Sequence, residues 1–95
     1  MALEPYIVCL ENCTLKQVEA LAMIGLIVEA KLEDCDKPRF KRVVARLYDN
    51  RIVYTACYFD EEAVQSLKII NVYVDFAKKR GAIGKLTVIE TKPEE

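Results

Sequence analysis

The residues with the most evident chemistry in this chain are its four cysteines, Cys9, Cys13, Cys35 and Cys57. Thiolates bind metals and form disulfides, but these spacings fit neither a zinc ribbon nor a zinc finger, and the chain has no histidine as a co-ligand. We expect Cys13 and Cys35 to flank a helix of about 30 Å, a distance that no disulfide spans. The pattern therefore predicts reduced cysteines, buried as small hydrophobic residues, with no metal and no cofactor.

Groups that support catalysis are otherwise scarce. The missing histidine removes the commonest general base, and the sequence has no serine–histidine pair and no glycine-rich phosphate loop. Glu11 and Asp60 lie near predicted strand ends, where solvation and helix capping account for them. We predict that the protein is not an enzyme.

Length and composition indicate one α+β domain over residues 1–91, followed by a frayed acidic tail at 92–95. The net charge of −1 gives no general attraction for nucleic acid or an anionic membrane. The hydrophobic fraction of 53% exceeds what so small a core requires, and we expect oligomerisation to cover the excess. The lack of histidine and the wealth of isoleucine, valine and lysine are typical of heat-adapted proteins.

The chain shows no sign of membrane targeting. Its first residues carry acid and proline where a secretory signal has a basic region and an apolar run. The longest apolar run, at 21–28, is too short to span a bilayer. We expect a cytoplasmic protein.

Hydrophobic periodicity predicts a strand over 5–11 and then a helix that opens with a capping box between Thr14 and Gln17. The helix either ends near Gly25, leaving VEAKLED as a strand, or continues to about residue 32, and we favour the longer helix. Strands over 40–49 and 51–59 follow, then a helix from Asp60 to Gly81 and a last strand over 83–91.

The two central strands form a hairpin if Asp49 and Asn50 make a two-residue turn, since both tolerate left-handed dihedral angles. This turn places Ala45 opposite Tyr54. The predicted core side then holds Val43, Ala45, Leu47, Ile52, Tyr54, Ala56 and Tyr58. The predicted outer side holds Phe40, Arg42, Val44, Arg46, Tyr48, Arg51, Val53, Cys57 and Phe59.

The order of elements predicts a ferredoxin-like split βαβ fold, in which one four-stranded antiparallel sheet carries two helices on one face. The outer side would then lie open, with arginines among aromatic rings. Both residue types are favoured in protein interfaces, and both suit RNA, because rings stack on bases while guanidinium groups meet phosphates. A solvated sheet surface is a third interpretation. The candidate binding residues are Phe40, Arg42, Arg46, Tyr48, Arg51 and Phe59.

Residues 37–71 resemble the small dimerising subunit of the KEOPS complex, which makes threonylcarbamoyladenosine in tRNA. The likeness rests on the charged lead RFKR at 39–42, the tight hairpin, Asp60 and the helical segment LKIIN at 67–71. The resemblance implies a non-catalytic subunit that pairs with itself or a paralogue and docks a kinase-like catalytic subunit through its helices. Lys68 and Asn71 are the candidate helix contacts.

The chain is also similar to RNA-recognition motifs. PYIVCL at 5–10 looks like the first-strand hexamer of that family, with Tyr6 in the stacking position, and residues 14–21 and 63–71 look like its helices. The central octamer is represented by RIVYTA at 51–56, which offers Tyr54. From the sequence we therefore expect a dimerising adaptor of a KEOPS-like assembly, or else an RNA-binding module that uses the open sheet.

Overall fold

A computed structural model of the chain describes Cys9 and residues 11–84. Its elements are α1 (Leu15–Met23), β1 (Ile27–Asp34), β2 (Phe40–Leu47), β3 (Ile52–Tyr54), β4 (Tyr58–Phe59) and α2 (Asp60–Lys79). Most of the predicted strands over 5–11 and 83–91 and the whole tail lie outside the described residues, while residues 83 and 84 form a turn. Across the described part, neither helix has the length and apolar character needed to cross a membrane.

Helix α1 begins as predicted and ends earlier than predicted. The Thr14 hydroxyl accepts from the Gln17 N–H at 3.0 Å, and the Gln17 side chain accepts from the Thr14 N–H at 2.8 Å, which completes the capping box. Gly25 adopts φ 84°, and the N–H of Leu26 donates to the Leu21 carbonyl. This pair of features is a Schellman motif, which ends a helix. The prediction of a helix to residue 32 is wrong, because Gly25 acts as a stop signal and 27–34 form a strand.

The four strands form one antiparallel sheet with β2 at its centre. Strand β1 pairs with one edge of β2, while β3 and β4 pair in succession along the other edge. On the outer side of β3, the Cys13 N–H donates to the Tyr54 carbonyl, and the Ala56 N–H donates to the Cys13 carbonyl. This parallel bridge covers part of the edge of the sheet that β3 forms. The predicted class, α+β with two helices and a four-stranded antiparallel sheet, is confirmed, but the strands differ in part from the predicted ones. Strand β1 was not predicted as a strand, and β3 and β4 divide the single strand predicted over 51–59.

The hairpin between β2 and β3 has a different turn from the predicted one. The Leu47 N–H bonds to the Arg51 carbonyl across a loop that contains Tyr48 as well as Asp49 and Asn50, and Asn50 adopts φ 73°. A three-residue loop with its last residue left-handed shifts the pairing by one residue relative to a two-residue turn. Ala45 therefore faces Val53 rather than Tyr54.

This shift of one residue reverses the two sides of β3, because successive strand side chains point to opposite faces. Val53, predicted to lie outside, is fully buried, and Ile52, predicted to lie in the core, is exposed. Tyr54 moves to the outer side with Ile52.

A bulge at Thr55–Cys57 separates β3 from β4 and restores the predicted pairing. The Thr55 hydroxyl accepts from the Val43 N–H at 2.9 Å and donates to the Ala56 carbonyl at 2.8 Å. The hydroxyl thus replaces a backbone partner at the point where an extra residue enters the strand. Phe40 then faces Phe59, as the sequence predicted.

The hydrophobic core lies between the sheet and the helices, all on one side. From β2 it takes Val43, Ala45 and Leu47, each no more than 1% exposed. The helices contribute Val18, Leu21 and Ala22 from α1 and Ile70 and Val74 from α2. Both helices therefore cover the same face of the sheet, and no helix among the described residues covers the other face.

The prediction of free cysteines is wrong. Cys9 pairs with Cys13 and Cys35 pairs with Cys57, with Cα–Cα distances of 5.5 and 6.3 Å. The prediction failed because it considered Cys13 with Cys35 and did not foresee that the bulge would carry Cys57 beside the loop after β1. The second disulfide joins that loop to the interruption between β3 and β4.

We predict that Cys35→Ala with Cys57→Ala lowers the free energy of unfolding by about 3 kcal/mol, because the disulfide closes a loop of 22 residues. Neither side chain belongs to the buried core, so the loss should come from the cross-link itself. Urea unfolding of the oxidised proteins measures the difference. Equal stability of the variant, with free thiols titrated in denatured wild type, would contradict the pairing.

Candidate interaction face

The face of the sheet opposite the helices is the candidate site. We call it the open face, and its residues are Glu29, Lys31, Glu33, Phe40, Arg42, Val44, Arg46, Ile52, Tyr54 and Phe59. A shallow hollow of about 390 Å³ lies over its middle, lined by β1, β2 and β3. Val44 forms the floor of the hollow and is only 9% exposed.

Arg42 is held on the open face by partners on both neighbouring strands. Its Nε donates to Glu33 Oε1 at 2.6 Å, and the same two side chains form an ion pair. Its guanidinium carbon lies 4.6 Å from the centre of the Tyr54 ring. Guanidinium groups are attracted to the negative face of such rings. The side chain is thereby fixed in one orientation while part of it still meets solvent.

Arg46, which lines the hollow, is also held in place by two partners. It donates to Glu29 Oε1 at 3.2 Å and to the Asn50 side chain at 3.0 Å. The hydrogen bond from Arg46, reinforced by its positive charge, holds the pKa of the Glu29 carboxyl below its ordinary value of 4.5. The left-handed turn residue therefore also positions one of the candidate arginines.

Two aromatic residues lie next to each other at one end of the open face. Phe40 and Phe59 are register partners on β2 and β4, and their ring centres lie 5.3 Å apart in an edge-to-face arrangement. Phe59 is 46% exposed, so its ring is available to a partner.

The structure places two further candidates in the hairpin loop rather than on the open face. Tyr48 is exposed, and its ring lies so close to Gly84 that a Cβ there would come within 3.0 Å. Arg51 donates from its Nε to Asp49 Oδ2 at 2.8 Å. Burial raises the pKa of the Asp49 carboxyl, but hydrogen bonds from Arg51 outweigh it, so this pKa lies below its ordinary value.

Lys68 and Asn71, the candidate helix contacts, are exposed on α2. This helix lies on the other side of the sheet from the open face. The structure therefore separates the candidate residues into three places: the open face, the hairpin loop and the surface of α2.

Sequence reasoning missed the acidic half of the open face. Glu29, Lys31 and Glu33 lie on β1, which was predicted as helix, and they alternate with the half-buried Val28, Ala30 and Leu32. This period of two was the available signal for a strand with one solvated side. Ile52 and Tyr54 were missed because of the turn.

The open face offers charged, aromatic and aliphatic side chains for contact with a partner. Within Cys9 and residues 11–84, no group of three or more histidine, cysteine or acidic residues could hold a metal. Each arginine of the open face is paired with a glutamate, so positive and negative groups alternate across the hollow. Such a surface suits a partner that presents charges of both signs around an apolar centre.

We predict that Glu29→Gln makes the melting temperature less sensitive to acid between about pH 5 and about pH 3. Because the pKa of Glu29 is lowered in the folded protein, its stabilising effect is complete above pH 4.5 and is lost as pH falls through the lowered value. Thermal melts of wild type and variant across this pH range test the ion pair between Glu29 and Arg46. If the melting temperatures of the two proteins fell in parallel with pH, the ion pair would be contradicted.

Comparison with protein-family models, with the curated proteins and with the solved structures finds no match for this chain.

Proposed function

We propose that the protein is a non-catalytic, dimerising adaptor that binds a partner protein through the open face and supports a larger complex. The observation that carries this proposal is the arginine–aromatic–aliphatic surface over β1 to β3. Its side chains are already held by ion pairs and ring contacts. Fixed side chains lose less conformational freedom when a partner binds, which favours affinity.

The composition of the open face supports a protein partner. Arginine and tyrosine are enriched at the centres of protein interfaces, where they bury large areas. Val44 and Ile52 supply an apolar middle next to Tyr54. The aromatic pair at one end extends the same surface.

The charges on the open face support protein over RNA. Glu29 and Glu33 stand beside the two arginines and would repel phosphates at the positions where a nucleic acid would need cations. Tyr54 lies under the Arg42 guanidinium, so its ring is not freely available for base stacking. Tyr6, the other proposed stacking residue, lies outside the described residues.

The assembly that we propose is KEOPS-like and makes threonylcarbamoyladenosine in tRNA. This part of the proposal rests on the resemblance of residues 37–71, and it assigns Lys68 and Asn71 to contact with a catalytic subunit. Their exposure on α2 is compatible with that role. The ferredoxin-like arrangement for the whole chain belongs to the same proposal, since the sheet has two helices on one face.

Cytoplasmic location is also part of the proposal. Disulfides are rare in most cytosolic proteins, but intracellular proteins of hyperthermophiles are rich in them. The paired cysteines and a heat-adapted origin are therefore compatible with a cytoplasmic adaptor.

We predict that Arg42→Glu with Arg46→Glu removes the partner protein while lowering the melting temperature by only a few degrees, because both side chains are more than one third exposed. The measurement is affinity purification of tagged variants from the native cell, followed by mass spectrometry. Lys16→Glu on α1 is a charge-reversal control, since its side chain is 90% exposed on the helix side.

Proteins retained by wild type and by Lys16→Glu but lost from the double variant would support the proposal, and tRNA-modifying subunits among them would support its KEOPS-like part. Identical recovery with all three proteins would contradict the role of the open face. Recovery of RNA alone, with affinity that falls steeply as salt rises, would favour the RNA-binding alternative.

A further inference from the structure

Helix α2 carries a second apolar line besides the one that it buries in the core. Ile69, Val72 and Phe76 are 42%, 49% and 40% exposed, although all three are large and hydrophobic. They are spaced by three and four residues, so they follow one side of the helix. Such a line is typical of a helix that packs against another helix.

The line continues in both directions with the same spacing. Together, Glu62, Gln65, Ile69, Val72, Phe76 and Lys79 form what we call the α2 seam, and all six are exposed. The seam is symmetric about the midpoint between Ile70 and Asn71. A second copy of α2 that runs antiparallel about this midpoint would place Ile69 opposite the second copy's Val72, and Gln65 opposite its Phe76.

The charges at the two ends of α2 fit the same antiparallel arrangement. The first turn holds Asp60, Glu61 and Glu62, and the end of the helix holds Lys78, Lys79 and Arg80. In an antiparallel pair, Glu62 meets the second copy's Lys79, and the twofold axis repeats the contact. A parallel pair would bring acid against acid and base against base. The helix dipoles also favour the antiparallel arrangement.

A groove beside the seam offers a place for the aromatic residue of the second copy. The groove has a volume of about 570 Å³ and lies between α1 and the first half of α2. Gln65 and Ile69 line it from α2, and Leu15 lines it from α1. In the antiparallel arrangement the second copy's Phe76 would lie opposite Gln65, which lines this groove. Aromatic residues that fill such pockets contribute strongly to interfaces.

We infer that a second copy of this chain binds along the α2 seam, antiparallel and about a twofold axis. The inference rests on the proposed function for the statement that the chain dimerises, and it adds the surface, the orientation and the register. The seam lies on the helix side of the sheet, so the dimer leaves both open faces available.

The test is a charge exchange, followed by sedimentation equilibrium of the purified chain. Lys79→Glu alone and Glu62→Lys alone each turn attractive contacts into repulsive ones, and each should weaken dimerisation about tenfold. The two changes together restore opposite charges and should return the affinity to near the wild-type value. Phe76→Glu should give a monomer, and its thermal melt reports whether the fold is kept, since the side chain is 40% exposed.

Lys78→Glu is the matched control, because it is an equal charge change next to Lys79 on an exposed residue of α2 that lies outside the seam. Rescue in the double variant with an unaffected control would support the inference. A wild-type dimer that none of the seam variants weakens would overturn the inference and leave the proposed adaptor intact. If the wild-type chain stayed monomeric at high micromolar concentration, the seam dimer and the dimerisation assumed in the proposed function would both be wrong.

Discussion

The one-sided burial of β2 determines the rest of the molecule. Val43, Ala45 and Leu47 lie beneath both helices with almost no exposure. Since strand side chains alternate, Arg42, Val44 and Arg46 must point to the opposite side. Nothing in the described residues covers that side with a helix, so its long side chains meet neighbours from β1 and β3. The core thus imposes the open face, and the ion pairs on that face follow from its register.

The open face and the α2 seam have different physical characters, which suits them to different partners. The open face is a shallow, mixed-charge surface with a small apolar floor. The seam is a narrow apolar line with acid at one end and base at the other. A twofold partner requires a self-complementary surface, and the seam provides one because it is symmetric about its midpoint. Because the two surfaces lie on opposite sides of the sheet, one molecule can use both at once.

Local sequence signals predicted those features that depend on local chemistry. The Thr14–Gln17 capping box, the helix that begins at Asp60 and the alternation in β2 were all identified, because each depends on neighbouring residues alone. Gly25 carried a signal that was misjudged. The longer helix was favoured over one that ends near Gly25, whereas the left-handed conformation of this glycine ends the helix. The open position of Arg42 and Arg46 was predicted, but Glu29 was placed in the mistaken helix and Glu33 just beyond it.

Features that depend on distant parts of the chain were not predictable from such signals. The pairing of Cys35 with Cys57 requires the bulge at Thr55, and the bulge is visible only once the strands are paired. The register of β3 depended on whether Tyr48 belongs to the strand or to the loop, and one residue decided which side Tyr54 occupies. The α2 seam was also not identified: the apolar excess of the chain was expected to favour oligomerisation, but no surface was assigned to it.

The most direct test of the central claim is chemical labelling of arginine side chains, read by peptide mass spectrometry, in the isolated chain and in its purified native assembly. We predict that Arg42 and Arg46 react in the isolated chain, since each is more than one third exposed, and become protected in the assembly. Equal reactivity of both arginines in the two states would contradict the claim that the open face binds the partner.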